Sequence, residues 1–277
     1  MTADSVSSTA YLSIDGAGMF VRYRGRGQPV LLLHGGGPGT SGDGWNDLIE
    51  AIQSPCRFIV PDYLGFGYSD PPNGEYTLDR IVDDIARLMQ NLGREPIPVV
   101  GHSMGAAVAV KLAIRHPECV DRLMLIAPGG GLYGLRYQSA GIQQMARVLA
   151  QPCRSTVQDL VALMGDRREL YARQVDARLR IMGRSGVMET QRMLQDARSA
   201  SETGPTQPIA AQLSPSLKKL HLLWGECERF NPFALGEQIH ARLPAFAEFF
   251  VVPGAGHNVH YDEPGPCARR LERFLMD

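Results

Sequence analysis

The sequence predicts an α/β fold, a mostly parallel sheet with helices on both faces, and three observations carry that reading. Short apolar runs recur, each closed by glycine or a polar turn. Stretches with helical spacing separate most of them, and the alternation then stops over a long helix-rich stretch before it resumes. The runs, residues 30–33, 58–60, 97–100, 123–126, 222–224 and 249–252, have the continuous apolar character of strands buried on both faces.

Residues 11–14 and 19–23 flank Asp15-Gly16-Ala17-Gly18 and read as a hairpin, which gives the sheet an antiparallel start. Ile81, Ile85, Leu88 and Leu92 fall on one helical stripe after Thr77, a residue suited to start a helix. A second helix, through residues 106–114, begins directly at Ser103. Between about Leu132 and Leu213 helix-like segments follow one another with no good strand. Thr156 reads as a cap there, and Val157, Leu160, Val161 and Met164 form the apolar face. Residues 199–208, rich in Ser, Thr, Gly and Pro, read as the connector back. The expected organisation is a core of residues 1–131 and 214–277 with a helical lid, 132–213, inserted after strand 6. That insertion falls beside the carboxyl ends of the strands, where ligands bind in open α/β sheets.

Composition excludes several classes of function. The 277 residues, 44% hydrophobic and 21% charged, can bury a substantial core. With 28 basic against 29 acidic residues there is no broad field to attract nucleic acid or an anionic membrane, so a small-molecule substrate is the expected partner. Five scattered cysteines without a CxxC pair argue against a disulfide framework and a zinc site. The first ten residues lack a basic start and an apolar run, and no stretch is long enough to span a membrane. A cytoplasmic location is expected, with a homodimer as the working assembly.

Gly101-His102-Ser103-Met104-Gly105 sits between a buried apolar run and a helix. A serine nucleophile must project from a sharp turn with very small neighbours, which Gly101 and Gly105 supply, and the helix start aims free N–H groups at developing negative charge. His34-Gly35-Gly36-Gly37-Pro38-Gly39 ends an earlier strand in a loop whose backbone can approach a ligand closely. Without G-K-[ST] it is not a phosphate loop. The expected oxyanion donors are the N–H of Met104 and one from this loop, Gly36 ahead of Gly37.

Serine needs a base. His116 ends a helix before Pro117, His240 lies on a surface helix and His221 starts a strand, so none of these suits. His34 and His102 flank the glycine loop and the serine, where they shape the pocket and contact substrate. His257, in Pro253-Gly254-Ala255-Gly256-His257 just past a strand, is favoured over His260 because the glycines let its loop turn toward Ser103. The base in turn needs a carboxylate on its other nitrogen. Glu228, three residues past Gly225, is preferred to Glu226, which still points along the strand, while Asp62 reads as a turn-builder.

Together these residues resemble the α/β-hydrolase superfamily across nearly the whole chain. The resemblance rests on the His-Gly-Gly-Gly-Pro-Gly loop, the D-x-x-G-x-G-x-S stretch from Asp62, the Gly-His-Ser-Met-Gly turn, the W-G-x-x-E segment and Gly-His, in the order Ser, acid, His. It implies the α/β-hydrolase fold with an eight-stranded, mostly parallel sheet. Most relatives carry aspartate where this chain has Glu228. The triple glycine before Pro38, Met104, Ala127-Pro128-Gly129-Gly130 and Arg229-Phe230-Asn231-Pro232 look like the meta-cleavage-product hydrolases, which split carbon-carbon bonds in vinylogous diketones. That family has asparagine where this chain has His102, tryptophan where it has Asn258, and an asparagine past the glycine loop for which Asp47 is the nearest match. The resemblance implies substrate contact at Asn258 and a lid arginine gripping the dienolate or carboxylate. Arg178, on a helical stripe with Tyr171, Val175 and Met182, is the candidate, against the alternative of a surface arginine.

The expected function is therefore a serine hydrolase of hydrophobic or aromatic carbonyl compounds that needs no metal or organic cofactor. Met145, Met164, Met182, Met188 and Met193 suggest an adaptable apolar wall in the lid. Carbon-carbon and ester or lactone cleavage both stay open. A ligand-binding relative or a lyase or cyclase using the oxyanion hole alone are the other classes.

Overall fold

A computed structural model describes residues 7–93, 95–129, 135, 138–165, 167–201 and 212–276. Eight strands, β1 (Ser7–Ile14), β2 (Ala17–Gly25), β3 (Gln28–Leu33), β4 (Cys56–Pro61), β5 (Ile97–His102), β6 (Val120–Ile126), β7 (Lys219–Gly225) and β8 (Glu248–Val252), form one sheet in the order β1-β2-β4-β3-β5-β6-β7-β8. Only the β1/β2 and β2/β4 pairs are antiparallel. The hairpin is tighter than the sequence suggests. Ile14 pairs with Ala17, so the turn is Asp15-Gly16 alone, and both residues take the positive φ (50° and 79°) of a two-residue hairpin turn.

Each central strand feeds both faces because successive side chains alternate. Leu31, Leu33, Val99, Leu123, Leu125, Leu222 and Trp224 meet α2 (Leu78–Leu92), α3 (Met104–Arg115) and α8 (Phe233–His240) in one core. Val30, Leu32, Val100, Met124, Ile126 and Leu223 meet α1 (Asn46–Ala51) and residues 264–276 in the other. Helix α2 starts where expected, Thr77 accepting a hydrogen bond from Arg80 N at 3.2 Å.

Four helices lie between β6 and β7: α4 (Ala140–Ala150), α5 (Arg154–Met164), α6 (Arg168–Met182) and α7 (Val187–Ser201). Val148, Val157, Leu160, Val161, Met164, Val175 and Met182 give them a small core of their own, joined to the sheet by Phe230. Two expectations change here. Thr156 is not the cap of α5. Cys153 occupies that position, and the Thr156 hydroxyl reaches back to Cys153 N at 3.4 Å from one turn inside the helix. Residues 199–201, read as connector, continue α7, and the remainder of 199–208 lies outside the described residues.

Asp62 builds the turn that follows β4. Its buried carboxylate pairs with Arg22 at 2.8 and 3.1 Å, accepts from Gly42 N at 2.6 Å and from Tyr68 N at 2.8 Å. A charge removed from water in this way must be matched group for group. The network fixes residues 62–69 against the segment that leaves the glycine loop. Among the described residues no helix is long and apolar enough to cross a membrane.

Candidate active site

Ser103 stands between β5 and α3 with φ 52° and ψ −114°, a conformation an L-residue adopts only under constraint. Its N–H donates to Ile126 O at 2.8 Å, tying the turn to the next strand. The flanking glycines are dictated by contact. A Cβ on Gly101 would strike the Gly105 carbonyl, and one on Gly105 would strike the Leu33 carbonyl. The serine is thereby thrust out of the sheet at the first turn of α3, whose leading N–H groups have no helical partner.

The glycine loop follows β3, next to β5. A Cβ on Gly36 would lie 2.9 Å from Met104 Sδ, so the loop is seated on the residue after the serine. Gly37 (φ 99°) faces Met145 of α4 instead. Gly36 and Met104 are thus juxtaposed. His34 shapes the glycine loop. It donates from Nδ1 to Gly35 O at 2.7 Å and accepts at Nε2 from Tyr63 N at 3.3 Å. Both ring nitrogens are committed to backbone, so His34 holds the loop in shape, and it also lines the cavity beside Ser103.

Glu228 and His257 come from the loops after β7 and β8. These loops are laced together by Glu226 N to Val252 O (3.0 Å) and Cys227 N to Ala255 O (2.8 Å). His257 Nδ1 donates to Glu228 Oε2 at 2.7 Å, with both side chains almost fully buried. The other carboxylate oxygen accepts from Phe230 N (2.7 Å) and Asn231 N (3.0 Å), so three donors fix the position of the Glu228 carboxylate. The Phe230 ring stacks on His257 at 4.2 Å and 11°. Glu226 instead accepts from Gly254 N at 3.1 Å near the surface. With Nδ1 spent on Glu228, Nε2 is the nitrogen of His257 that is left for chemistry.

His102 Nε2 donates to the carbonyl of His257 at 3.0 Å. Burial, with His260 and His257 nearby, pushes His102 well below the usual histidine range, and burial with His257 takes His260 to about 3. Both are neutral at physiological pH. Like His34, His102 spends its donor on backbone, and it also lines the cavity beside Ser103.

Ser103, Met104, Gly36, Gly37, His257, Asn258 and Arg178 all line one cavity of about 1160 Å³ between the sheet and the inserted helices. Arg178 is 8% exposed, which overturns the surface alternative, and Val175 and Met182 of its stripe are buried with it, while the Tyr171 side chain lies outside the described residues. Its guanidinium donates to Pro38 O at 2.7 Å and to Met164 Sδ at 3.3 Å, and burial lowers its pKa to about 10, still charged at neutral pH. Among the described residues it has no carboxylate partner. A buried cation balanced only by a carbonyl and a thioether is a ready site for an anion.

Asn258 anchors its backbone N–H on Met164 O at 3.1 Å and turns into the cavity wall. Asp47 is bound to Arg173 at 2.8 Å, and Arg173 also donates to the Tyr261 hydroxyl, so Asp47 clasps α6 to α1. Asn46 was missed from the sequence, although it lines the cavity beside Asp47, as do Trp45 and His260, whose tilted rings lie 4.1 Å apart. Of the five methionines only Met145 and Met164 reach the cavity; Met182 and Met188 fill the core of the inserted helices and Met193 packs on the sheet side. Among the described residues no cluster of His, Cys, Asp or Glu could hold a metal ion.

Residues 28–264 match the family model for the alpha/beta hydrolase fold. The chain belongs to the α/β-hydrolase family. The 2-hydroxy-6-oxononadienedioate/2-hydroxy-6-oxononatrienedioate hydrolase of Comamonas testosteroni is 26% identical over 263 residues, covering 91% of this chain and 89% of its own. The 2-hydroxy-6-oxo-6-phenylhexa-2,4-dienoate hydrolase of Burkholderia cepacia is 26% identical over 266 residues, with the same coverage of 91% and 89%. The solved structure of the enzyme of that name from Rhodococcus sp. strain RHA1 superposes with a TM-score of 0.85 over 100% of both chains at 21% identity, a likeness of fold. An esterase from Exiguobacterium antarcticum is similar in fold as well, with a TM-score of 0.75 over 98% of this chain and 100% of its own at 20% identity.

Proposed function

We propose that this chain is a serine hydrolase of the meta-cleavage-product type, which splits a carbon-carbon bond beside a ketone in a substrate carrying a carboxylate. The observation that supports the reading is one cavity lined by Ser103, by His257 with Glu228 buried behind it, and by Arg178, which has no carboxylate partner among the described residues.

In this mechanism His257 Nε2 takes the hydroxyl proton as Ser103 Oγ bonds to the ketone carbon. The carbonyl oxygen becomes an oxyanion facing the N–H groups of Met104 and Gly36. Glu228 stabilises the imidazolium and fixes its tautomer. Carbon is a poor leaving group unless its electron pair can be delocalised. A conjugated keto acid supplies that sink, with its carboxylate held at Arg178. Collapse of the oxyanion expels this fragment, which takes the proton from His257, and leaves an ester on Ser103. Water, deprotonated by His257, then hydrolyses the ester to a carboxylic acid and frees the serine. The inserted helices act as a lid that keeps bulk water from the carbanionic fragment. Met145, Met164 and Phe230 make the wall apolar, which suits a hydrophobic or aromatic acyl part.

Fluorophosphonate labelling tests the nucleophile: one adduct at Ser103 is expected and none in Ser103→Ala. Turnover of an aryl-substituted oxo-hexadienoate and of a matched aryl ester, side by side, then separates the reactions. Faster ester cleavage with no dienoate turnover would replace this reading by a carboxylesterase.

A further inference from the structure

We propose that His102 is a positioning residue that sets the loop of the base against the turn of the nucleophile. This rests on the serine-hydrolase reading for its kinetic consequence, and on geometry alone for its structural one. His102 is the last residue of β5, so its backbone carries Ser103 directly. Its side chain crosses to the opposite loop, where Nε2–H donates to the carbonyl of His257 itself at 3.0 Å. Its other ring nitrogen faces the glycine loop, 2.8 Å from where a Cβ on Gly35 would stand. Its ring touches those of His257 and His260, with centroids 4.9 and 4.7 Å away.

One imidazole therefore spans the three loops that supply the nucleophile, the oxyanion donors and the base. The role asks for a ring nitrogen that always carries a proton toward the carbonyl and an uncharged ring in a dry site, and the buried, neutral state of His102 provides both. Because the bond is to the backbone of His257 and not to its ring, His102 leaves the Nδ1–Glu228 contact undisturbed while fixing the strand-to-loop distance. Misplacing reacting groups by about 1 Å costs on the order of a hundredfold in rate. Asparagine at this position ends one bond short of the imidazole Nε2 and cannot reach the carbonyl. Glutamine places its amide nitrogen at about the same reach.

The experiment compares His102→Asn, His102→Leu and His102→Gln with the unaltered chain. The rate of fluorophosphonate labelling and kcat for an aryl ester are expected to fall about tenfold to a hundredfold in the Asn and Leu variants, with KM within about twofold. In the Gln variant both return to within about threefold. In parallel, the low-field proton of the His257–Glu228 hydrogen bond is expected to be resolved by NMR in the unaltered and Gln proteins and broadened by exchange in the other two. Full activity in His102→Asn, or a Gln variant as impaired as Leu, would overturn the proposal, as would a proton resonance unchanged across the series. An imidazole nitrogen spectrum of the unaltered protein needs no variant, and an Nδ1–H tautomer at His102 would also overturn it. Absence of labelling in the unaltered chain, with the resonance following the series as stated, would remove the hydrolase reading and leave the positioning role standing.

Discussion

Acidification from pH 8 to pH 5 is expected to remove a large part of the stability of this chain through histidines that are buried uncharged. Burial lowers His260 to about 3, and burial lowers His221 to about 4 although Glu248 lies 3.6 Å from its ring. In the unfolded chain each regains a pKa of about 6.5. The unfolded state then binds more protons than the folded one at every pH between those values, so stability is full above about 6.5 and falls as the pH drops below it. At pH 5 each ring costs about 2 kcal/mol, and the two together about 4 kcal/mol, against a typical total of roughly 5–15 kcal/mol. His102 is shifted in the same direction and adds to the loss. Most carboxylates titrate below this window, which isolates the histidines. Urea unfolding at pH 8, 6.5 and 5 measures the effect, and His260→Phe, which keeps a ring against Trp45 without a proton site, should remove about 2 kcal/mol of the loss at pH 5. Equal unfolding free energies at pH 8 and pH 5 would refute the reasoning.

Three further outcomes follow from the site and its supports. Glu228→Gln is expected to lower kcat by at least about a hundredfold, because the base loses its tautomer control, whereas Glu226→Gln, whose carboxylate meets only Gly254 N near the surface, changes it less than about threefold; steady-state kinetics would expose a reversed order. Arg178→Gln should reduce kcat/KM for a carboxylate-bearing dienoate about a hundredfold and for a neutral ester far less, and equal losses would detach Arg178 from the substrate anion. Arg22→Leu leaves the Asp62 carboxylate buried without its counter-ion and should destabilise the fold by about 3–5 kcal/mol in chemical unfolding, with little effect on the KM of the remaining folded enzyme.

The fold was legible because its signals are local. Continuous apolar runs can only be strands covered on both faces, and Leu31 and Leu32, pointing into opposite cores, are the outcome of that rule. The strained turn at Ser103 was legible from its glycines, since no other residue fits where a Cβ would meet a carbonyl. The meeting of Glu228 with His257 could be read from the distance past Gly225, which carries the side chain out of the strand and toward the neighbouring loop. What stayed hidden depends on contacts between distant segments. Nothing local indicates that His102 would spend its donor on a carbonyl 155 positions away, or that His34 would be used by its own loop and by Tyr63. Asn46, beside Asp47, lines the cavity as Asp47 does, and apolar spacing gives no sign of the short 3-10 turn, Gly42–Trp45, that leads into α1. Thr156 misled because a thiol is rarely counted as a cap, and Cys153 fills that role here.

The dihedral angles of Ser103 carry a consequence for anyone engineering this scaffold. A side chain held at φ 52° and ψ −114° costs the molecule on the order of 1–3 kcal/mol, and glycine at the same place would relax it. Selection for heat tolerance alone therefore pushes against the hydroxyl on which the proposed chemistry depends. Libraries sorted by melting temperature will drift toward well-behaved, inert proteins unless turnover is demanded at every round.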